Sequence, residues 1–289
     1  MKKFFLGVCL FLSASLALAQ MPEKTRQEVA QAIQQGNYEQ AVRLLRPWAW
    51  RGDARAQHSL GVMYRDGLGV AQDYAQAREW LEKAAAQGNA KAQTNLGLMY
   101  GDGRGVAQDY AKAREWWEKA AVQGNADAQF NLGAMYDAGR GVARDLLKAR
   151  EWYEQAAALG DVDARFNLGL MYRDGLGVAQ DYAQAREWLE KAAAQGNAKA
   201  QYCLGAMYYD GHGGIARNYV KALEWWEKAA DQGNARAQFN IGVIYRDGQG
   251  VAQDDGKARE WFEKAAAQTE NAEVVRKARQ ALERMRGKR

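Results

Sequence analysis

Cysteine is nearly missing from this 289-residue chain, which holds two. One, Cys9, falls in an N-terminal stretch that reads as a leader, so the mature chain is expected to keep only Cys203. That excludes an intramolecular disulfide. Serine and histidine are as sparse: beyond residue 19 there is one serine, Ser59, and the histidines are His58 and His212. His58 and Ser59 are consecutive, and side chains one apart on a helix do not face each other. No segment carries the S-x-x-K or G-x-S-x-G spacing used for acyl transfer. Cys203 with His212 is the remaining nucleophile–base pairing to weigh, and a packing cysteine is the plainer reading. Two separated histidines give no metal-ligand spacing. Carboxylates are plentiful, but Asp66 and its copies belong to loops, and Asp73 and its copies to helix caps. The expectation is a non-enzyme with no catalytic residue, no metal and no cofactor.

Long apolar runs are also missing, apart from Phe4 to Leu16. Lys2 and Lys3 precede that run and Ala17-Leu18-Ala19 follows it, the order of a cleaved signal peptide over residues 1–19. The run is short of the roughly 20 apolar residues of a membrane span, so no transmembrane segment is expected after cleavage. The chain is expected to be exported, to the periplasm or beyond the cell. Its net charge of +5 misleads. Lys2 and Lys3 leave with the leader, and the segment from Glu270 carries seven bases against three acids. The repeats themselves are therefore close to neutral, and no nucleic-acid partner is expected.

What is present is repetition. Trp80, Trp116, Trp152, Trp188, Trp225 and Trp261 are spaced by 36, 36, 36, 37 and 36 residues, each within E-W-x-E-[KQ]-A-A. Gly61, Gly97, Gly133, Gly169, Gly205 and Gly242 keep the same step inside [LI]-G-x-[MI]-Y. Self-similarity at this period marks a solenoid, in which each unit buries its apolar face only against its neighbours. Strict recurrence of the tryptophans at one helical position assigns them to the core.

One period, residues 53–88, reads as a helical hairpin. Ala54 to about Arg65 is a helix with Leu60, Met63 and Tyr64 at helical spacing. Asp66-Gly67-Leu68-Gly69-Val70 breaks it, Asp73 caps a second helix from Tyr74 to Gln87, and Gly88 stops that helix. Six such hairpins span residues 53–269. Residues 20–52 read as a degenerate capping hairpin, and residues 270–289 as a C-terminal capping helix, since a terminal unit must show one face to water. Gly214 is an extra residue in the fifth loop, which is expected to bulge. Asp255-Gly256 stands where Tyr74-Ala75 stands in the first repeat, so the last hairpin is expected to fray.

These residues resemble the Sel-one-like repeat family, relatives of the tetratricopeptide repeat. In the second repeat the resemblance rests on Ala92, Leu96, Gly97, Tyr100, Gly103, Gly105, Val106, Asp109, Lys112, Ala113, Trp116, Lys119, Ala120, Ala121 and Gly124. It covers about three quarters of the chain. The resemblance implies an all-α fold, a right-handed α-solenoid (α/α superhelix) of hairpins whose first helices line a concave face. It also implies an adaptor that binds protein or peptide partners, many bacterial members being exported and acting at a host interface. Some cysteine-rich members bind or hydrolyse penicillin-like compounds; they carry paired cysteines in every repeat, which this chain lacks. A binder or weak hydrolase of β-lactam or cell-wall-like molecules is the alternative that resemblance leaves.

Six internal copies separate what recurs from what changes. Counting Ala54 as position 1, position 2 holds Arg55, Lys91, Asp127, Asp163, Lys199 and Arg236. Position 5 holds His58, Thr94, Phe130, Phe166, Tyr202 and Phe239, and position 12 holds Arg65, Gly101, Asp137, Arg173, Tyr209 and Arg246. With position 9, these fall within an arc of about 80°. Charges and aromatics on that arc are the residue types that dominate interface energetics. Stacked at helix-packing distance, six copies would make a groove roughly 50–60 Å long that suits an extended peptide or a partner helix. The position-5 aromatics have a second reading, as fillers of the seams between hairpins. Residues 63–93 and 171–201 are identical, so the first and fourth repeats expose nearly the same loop and second helix.

Overall fold

The computed structural model describes residues 20–269 and 271–286. The expected leader, residues 1–19, lies outside the described residues, as do Glu270 and residues 287–289. Among the described residues there are fifteen α-helices and no strand. They form two compact units, one ending at Trp116 and the other starting at Trp117, with the division inside α6 (Tyr110–Ala121).

The first unit holds α1 (Glu23–Gln34), α2 (Tyr38–Trp50), α3 (Ala54–Asp66), α4 (Tyr74–Ala86), α5 (Ala90–Asp102) and the start of α6. The second continues from α6 through α7 (Ala126–Ala138), α8 (Leu146–Ala158), α9 (Val162–Asp174), α10 (Tyr182–Ala194) and α11 (Ala198–Asp210). It ends with α12 (Tyr219–Asp231), α13 (Ala235–Asp247), α14 (Asp255–Ala266) and α15 (Ala272–Arg286). From α1 to α5 and from α7 to α15 each helix packs on the next in sequence, and α15 closes the second unit against α14 and α13. The result is an all-α repeat fold built of helical hairpins.

Local chemistry sets the hairpins. Asp53, Asn89, Asn125, Asp161, Asn197 and Asn234 each accept a backbone N–H at the start of a first helix. Asp73, Asp145, Asp181, Asn218 and Asp254 do the same for second helices. Such caps satisfy donors that the helix leaves without partners. First helices end on a left-handed glycine, Gly67 at φ 69° being typical, a conformation that a Cβ disfavours.

The core of a hairpin is a bulky side chain against a glycine. Leu81, Tyr153, Leu189, Trp226 and Phe262 of the second helices meet the backbone of Gly61, Gly133, Gly169, Gly205 and Gly242. These five residues are buried, and each follows a recurring tryptophan by one position. The tryptophans correct the sequence expectation: only Trp80 is buried, at 4% exposure, while Trp116, Trp152, Trp188, Trp225 and Trp261 are half-buried. They pack beside the neighbouring seam, and in several a lysine one turn on lies over the open face. Lys191, Lys228 and Lys264 sit 4.2, 4.2 and 4.0 Å from the ring centroids of Trp188, Trp225 and Trp261, a cation–π arrangement.

A polar ladder joins successive hairpins. Gln57, Gln93, Gln129, Gln201 and Gln238 are buried, each donating to a carbonyl near the end of the preceding helix: Ala49, Ala85, Ala121, Ala193 and Ala230. Where the fourth repeat has Arg165 instead, its Nε and Nη2 reach the same kind of carbonyl, on Ala157, at 3.2 and 3.1 Å.

The enlarged fifth loop sets Gly214 in open space, with nothing within 4 Å of a Cβ placed there, while Ile215 tucks into the core. In the last hairpin, where fraying is expected, the second helix is formed from Asp255: Asp254 caps α14 through Lys257 N, and Phe262 is fully buried. The cap and the buried ring hold a first turn that Asp255-Gly256 alone would weaken.

Candidate functional site

The variable positions of the first helices are built differently from place to place. In the first unit, Arg65 pairs with its neighbour Asp66, Nε to Oδ1 at 2.7 Å and Nη2 to Oδ2 at 2.8 Å. Its third nitrogen, Nη1, donates to Asn95 Oδ1 at 2.6 Å. The Asn95 amide nitrogen in turn lies 2.9 Å from His58 Nε2. The chain Asp66–Arg65–Asn95–His58 therefore stitches α3 to α5. Burial, with Lys91 and Arg65 nearby, pushes the His58 pKa down to about 4, because a charged imidazole there loses water and meets like charge. His58 and Arg65 are thus partnered within the fold. Arg55 stands apart, at a hollow of 280 Å³ with Arg26, Asp53 and Gln87, and Lys91 is exposed.

In the second unit the position-5 rings lean on the second helix of their own hairpin. Phe130 lies 5.7 Å from Tyr153, Tyr202 6.4 Å from Trp226, and Phe239 5.4 Å from Phe262, between ring centroids. They remain half-buried, so each ring fills a seam and shows an edge or face outward. Tyr209 packs on Tyr219 and Trp226 at 5.2 and 5.3 Å. Position 12 again carries arginines tied to the next residue, Arg173 to Asp174 and Arg246 to Asp247. Asp137 faces Arg144 at 3.7 Å, Asp163 accepts from Asn197 at 3.2 Å, and Asp127 is exposed.

Five of the sequence-derived residues converge in one place. Phe166, Arg173, Lys199, Tyr202 and Arg236 line a hollow of 420 Å³ formed by α9, α11, the start of α13 and the residues before α15. Leu170, Cys203 and the first residues of α13 complete its wall, with Gln268 and Asn271 at the C-terminal side. Sequence reasoning set Cys203 aside as packing; it is buried but also faces this hollow. The signal was its replacement of an asparagine that recurs at Asn95, Asn131, Asn167 and Asn240. Asn271 lies beyond the last repeat, so periodicity could not find it. Gln268 is the sixth-repeat copy of Gln87, Gln123, Gln195 and Gln232, a recurrent position at the end of the second helix and so outside the variable first-helix arc. Arg246 lines a separate hollow of 530 Å³ with Asp255, Arg284 and Met285.

Chemically the main hollow offers cations and aromatic walls and no reacting pair. Cys203 Sγ sits 3.7 Å from Arg173 Nη1, and burial raises its pKa, keeping a neutral thiol. His212 stacks instead on Tyr182 at 6.0 Å and lies 3.7 Å from Asp210. The structure therefore gives the cysteine and the histidine different partners. Among the described residues no three His, Cys, Asp or Glu side chains cluster as metal ligands, and no helix is long and apolar enough to cross a membrane.

Comparison with known proteins places this architecture. The Sel1 repeat profile matches six times, over residues 54–89, 90–125, 126–161, 162–197, 198–234 and 235–269. A solved Sel1 repeat protein from Oxalobacter formigenes is 36% identical, covering 83% of this chain and 98% of that one, with a TM-score of 0.77. A protective antigen of uropathogenic Escherichia coli displaying an SLR fold is 38% identical over 84% of this chain, with a TM-score of 0.74. This chain spans 56% of the length of that antigen. No curated protein matches significantly.

Proposed function

This chain belongs to the Sel1 repeat family, and from that premise we propose that it is an exported scaffold whose variable first-helix side chains hold a protein or peptide partner, in the periplasm or at the host interface. The repeat fold of this family commonly mediates protein–protein interaction. The observation that carries the reading is the convergence of Phe166, Arg173, Lys199, Tyr202 and Arg236 on one hollow. These side chains vary among the internal copies, so hairpin packing does not demand them, yet they combine apolar area with charge as interface anchors do. A reaction is not part of the proposal, because the hollow holds no nucleophile beside a base.

Affinity capture with the tagged chain, from periplasmic extract and from host-cell lysate, tests it. The parent is expected to retain a defined partner that a variant with alanine at Arg173, Lys199, Tyr202 and Arg236 loses, at equal helical circular dichroism. Equal capture by the two would reject the binding surface. Export is checked separately: the secreted or periplasmic chain is expected to begin at Gln20 on N-terminal sequencing, and a chain retaining Met1 in the cytoplasm would reject it.

A further inference from the structure

The two identical stretches, residues 63–93 and 171–201, are an internal control for what the hollow is for. Just outside them the copies part: His58 becomes Phe166, Val62 becomes Leu170, Thr94 becomes Tyr202 and Asn95 becomes Cys203. All four later residues line the hollow. The consequence for the shared arginine is specific. Arg65 spends its third nitrogen on the Asn95 carboxamide oxygen at 2.6 Å. Arg173, in the same sequence and with the same bidentate grip on Asp174, finds only the Cys203 sulfur at 3.7 Å. A neutral thiol is a weak acceptor, so Arg173 keeps strong donor capacity toward the hollow.

The remaining electrostatics agree. Arg173 shares the wall with Lys199 and Arg236, and among the described residues the lining includes no carboxylate. Glu273 lies near enough to sense Arg236, but Lys277 holds it at 2.7 Å. Asn234 and Ala235 bring the first turn of a thirteen-residue helix, α13, to the rim, and a helix start favours negative charge. Phe166, Leu170 and Tyr202 supply apolar wall beside these donors. At 420 Å³ the space takes several side chains rather than one inorganic ion, within the range of ligand sites.

We infer that this hollow is the docking site for an acidic peptide segment, its carboxylates on Arg173, Lys199 and Arg236 and an apolar side chain between Phe166 and Tyr202. This rests on the partner-binding reading above and specifies the partner's chemistry. Replacing the recurrent Asn by Cys203, and Thr by Tyr202, converts a stitched seam of the first repeat into an open, cationic, aromatic-walled one.

Fluorescence anisotropy of the full chain with three labelled peptides of equal length tests it. All carry one central phenylalanine, flanked by glutamate, glutamine or lysine. The glutamate peptide is expected to bind at least about tenfold more tightly than the glutamine peptide, with affinity falling as salt rises from about 50 to about 500 mM. Arg236→Glu is expected to weaken it by about tenfold or more. Cys203→Asn, which offers Arg173 the carboxamide that Arg65 has, is expected to weaken it severalfold at unchanged helicity. Equal binding of the three peptides, or unchanged binding by both variants, overturns the inference, as does complete displacement of the peptide by inorganic phosphate at millimolar concentration. If the glutamate peptide fails while the captured partner still depends on Arg173, Lys199, Tyr202 and Arg236, the acidic-peptide inference falls and the scaffold reading stands.

Discussion

Phe262 presses its ring against the backbone of Gly242: a methyl group on that glycine would lie 2.7 Å from ring carbons Cδ1 and Cε1. The ring itself is fully buried. Ordinary van der Waals contact needs more than 3.4 Å, so a side chain at position 242 would force the Phe262 ring or the helix to shift. Gly242→Ala sets two effects against each other. Alanine gains about 0.5–1 kcal/mol of helix propensity over glycine, whereas overpacking a filled core costs about 1–3 kcal/mol. The clash is expected to win, lowering the melting temperature by several degrees in a circular dichroism scan. A rise would show that the ring yields freely.

The position after each tryptophan, rather than the tryptophan, should carry the core. Phe262→Ala is expected to cost about 3–5 kcal/mol. Lys264→Met, which removes the cation 4.0 Å above half-buried Trp261, is expected to cost no more than about 1 kcal/mol. Urea unfolding of the two variants gives the ranking directly; comparable losses would contradict the assignment of Trp261 to the edge of the seam.

The glutamine ladder makes a third expectation. Gln238 donates to Ala230 O at 3.2 Å and accepts from Gln268 at 3.1 Å while 5% exposed. Gln238→Leu removes one of two donors to that carbonyl, which keeps Gly233 N at 2.9 Å, and takes the acceptor from Gln268, a loss of about 0.5–1.5 kcal/mol per bond. Hydrogen exchange should quicken in α12 and α13 above all, because a repeat transmits instability to its neighbours first. Uniform protection across the variant would argue that water replaces the amide at no cost.

His58 gives the fold an acid-sensitive joint. Its folded pKa of about 4 lies below the ordinary 6.5, so the unfolded chain binds the extra proton first as pH falls. Stability from this group is complete above about 6.5 and declines down to about 4. His58→Gln is expected to flatten that part of the stability–pH curve, and the His58 imidazole is expected to titrate near 4 by NMR. A midpoint near 6.5 would contradict the burial of the ring beside Lys91 and Arg65.

Much of this architecture was readable from residues alone, because repetition is its own evidence. Hairpin limits follow from Asp73, Gly67 and Gly88, whose effects are local and survive in any context. The tryptophans show where that reading fails. Trp80 and Trp188 sit within identical sequence, yet Trp80 is buried because Trp50 meets it edge-on at 5.1 Å, and Trp188 is half-buried. Recurrence reports that a position is constrained, without saying whether the constraint is a filled core or a covered edge.

Sequence by itself determined the helical period, the caps, the glycine stops and the set of first-helix positions free to vary, since each depends on neighbours within a few residues or on comparison among copies. Tertiary structure alone decided that Arg65 is spent on Asn95 while Arg173 faces a sulfur across a hollow with Lys199 and Arg236. Those partners come from the next hairpin, 30 residues away, and whether a guanidinium is satisfied depends on ångström-scale distances that no spacing along the chain encodes.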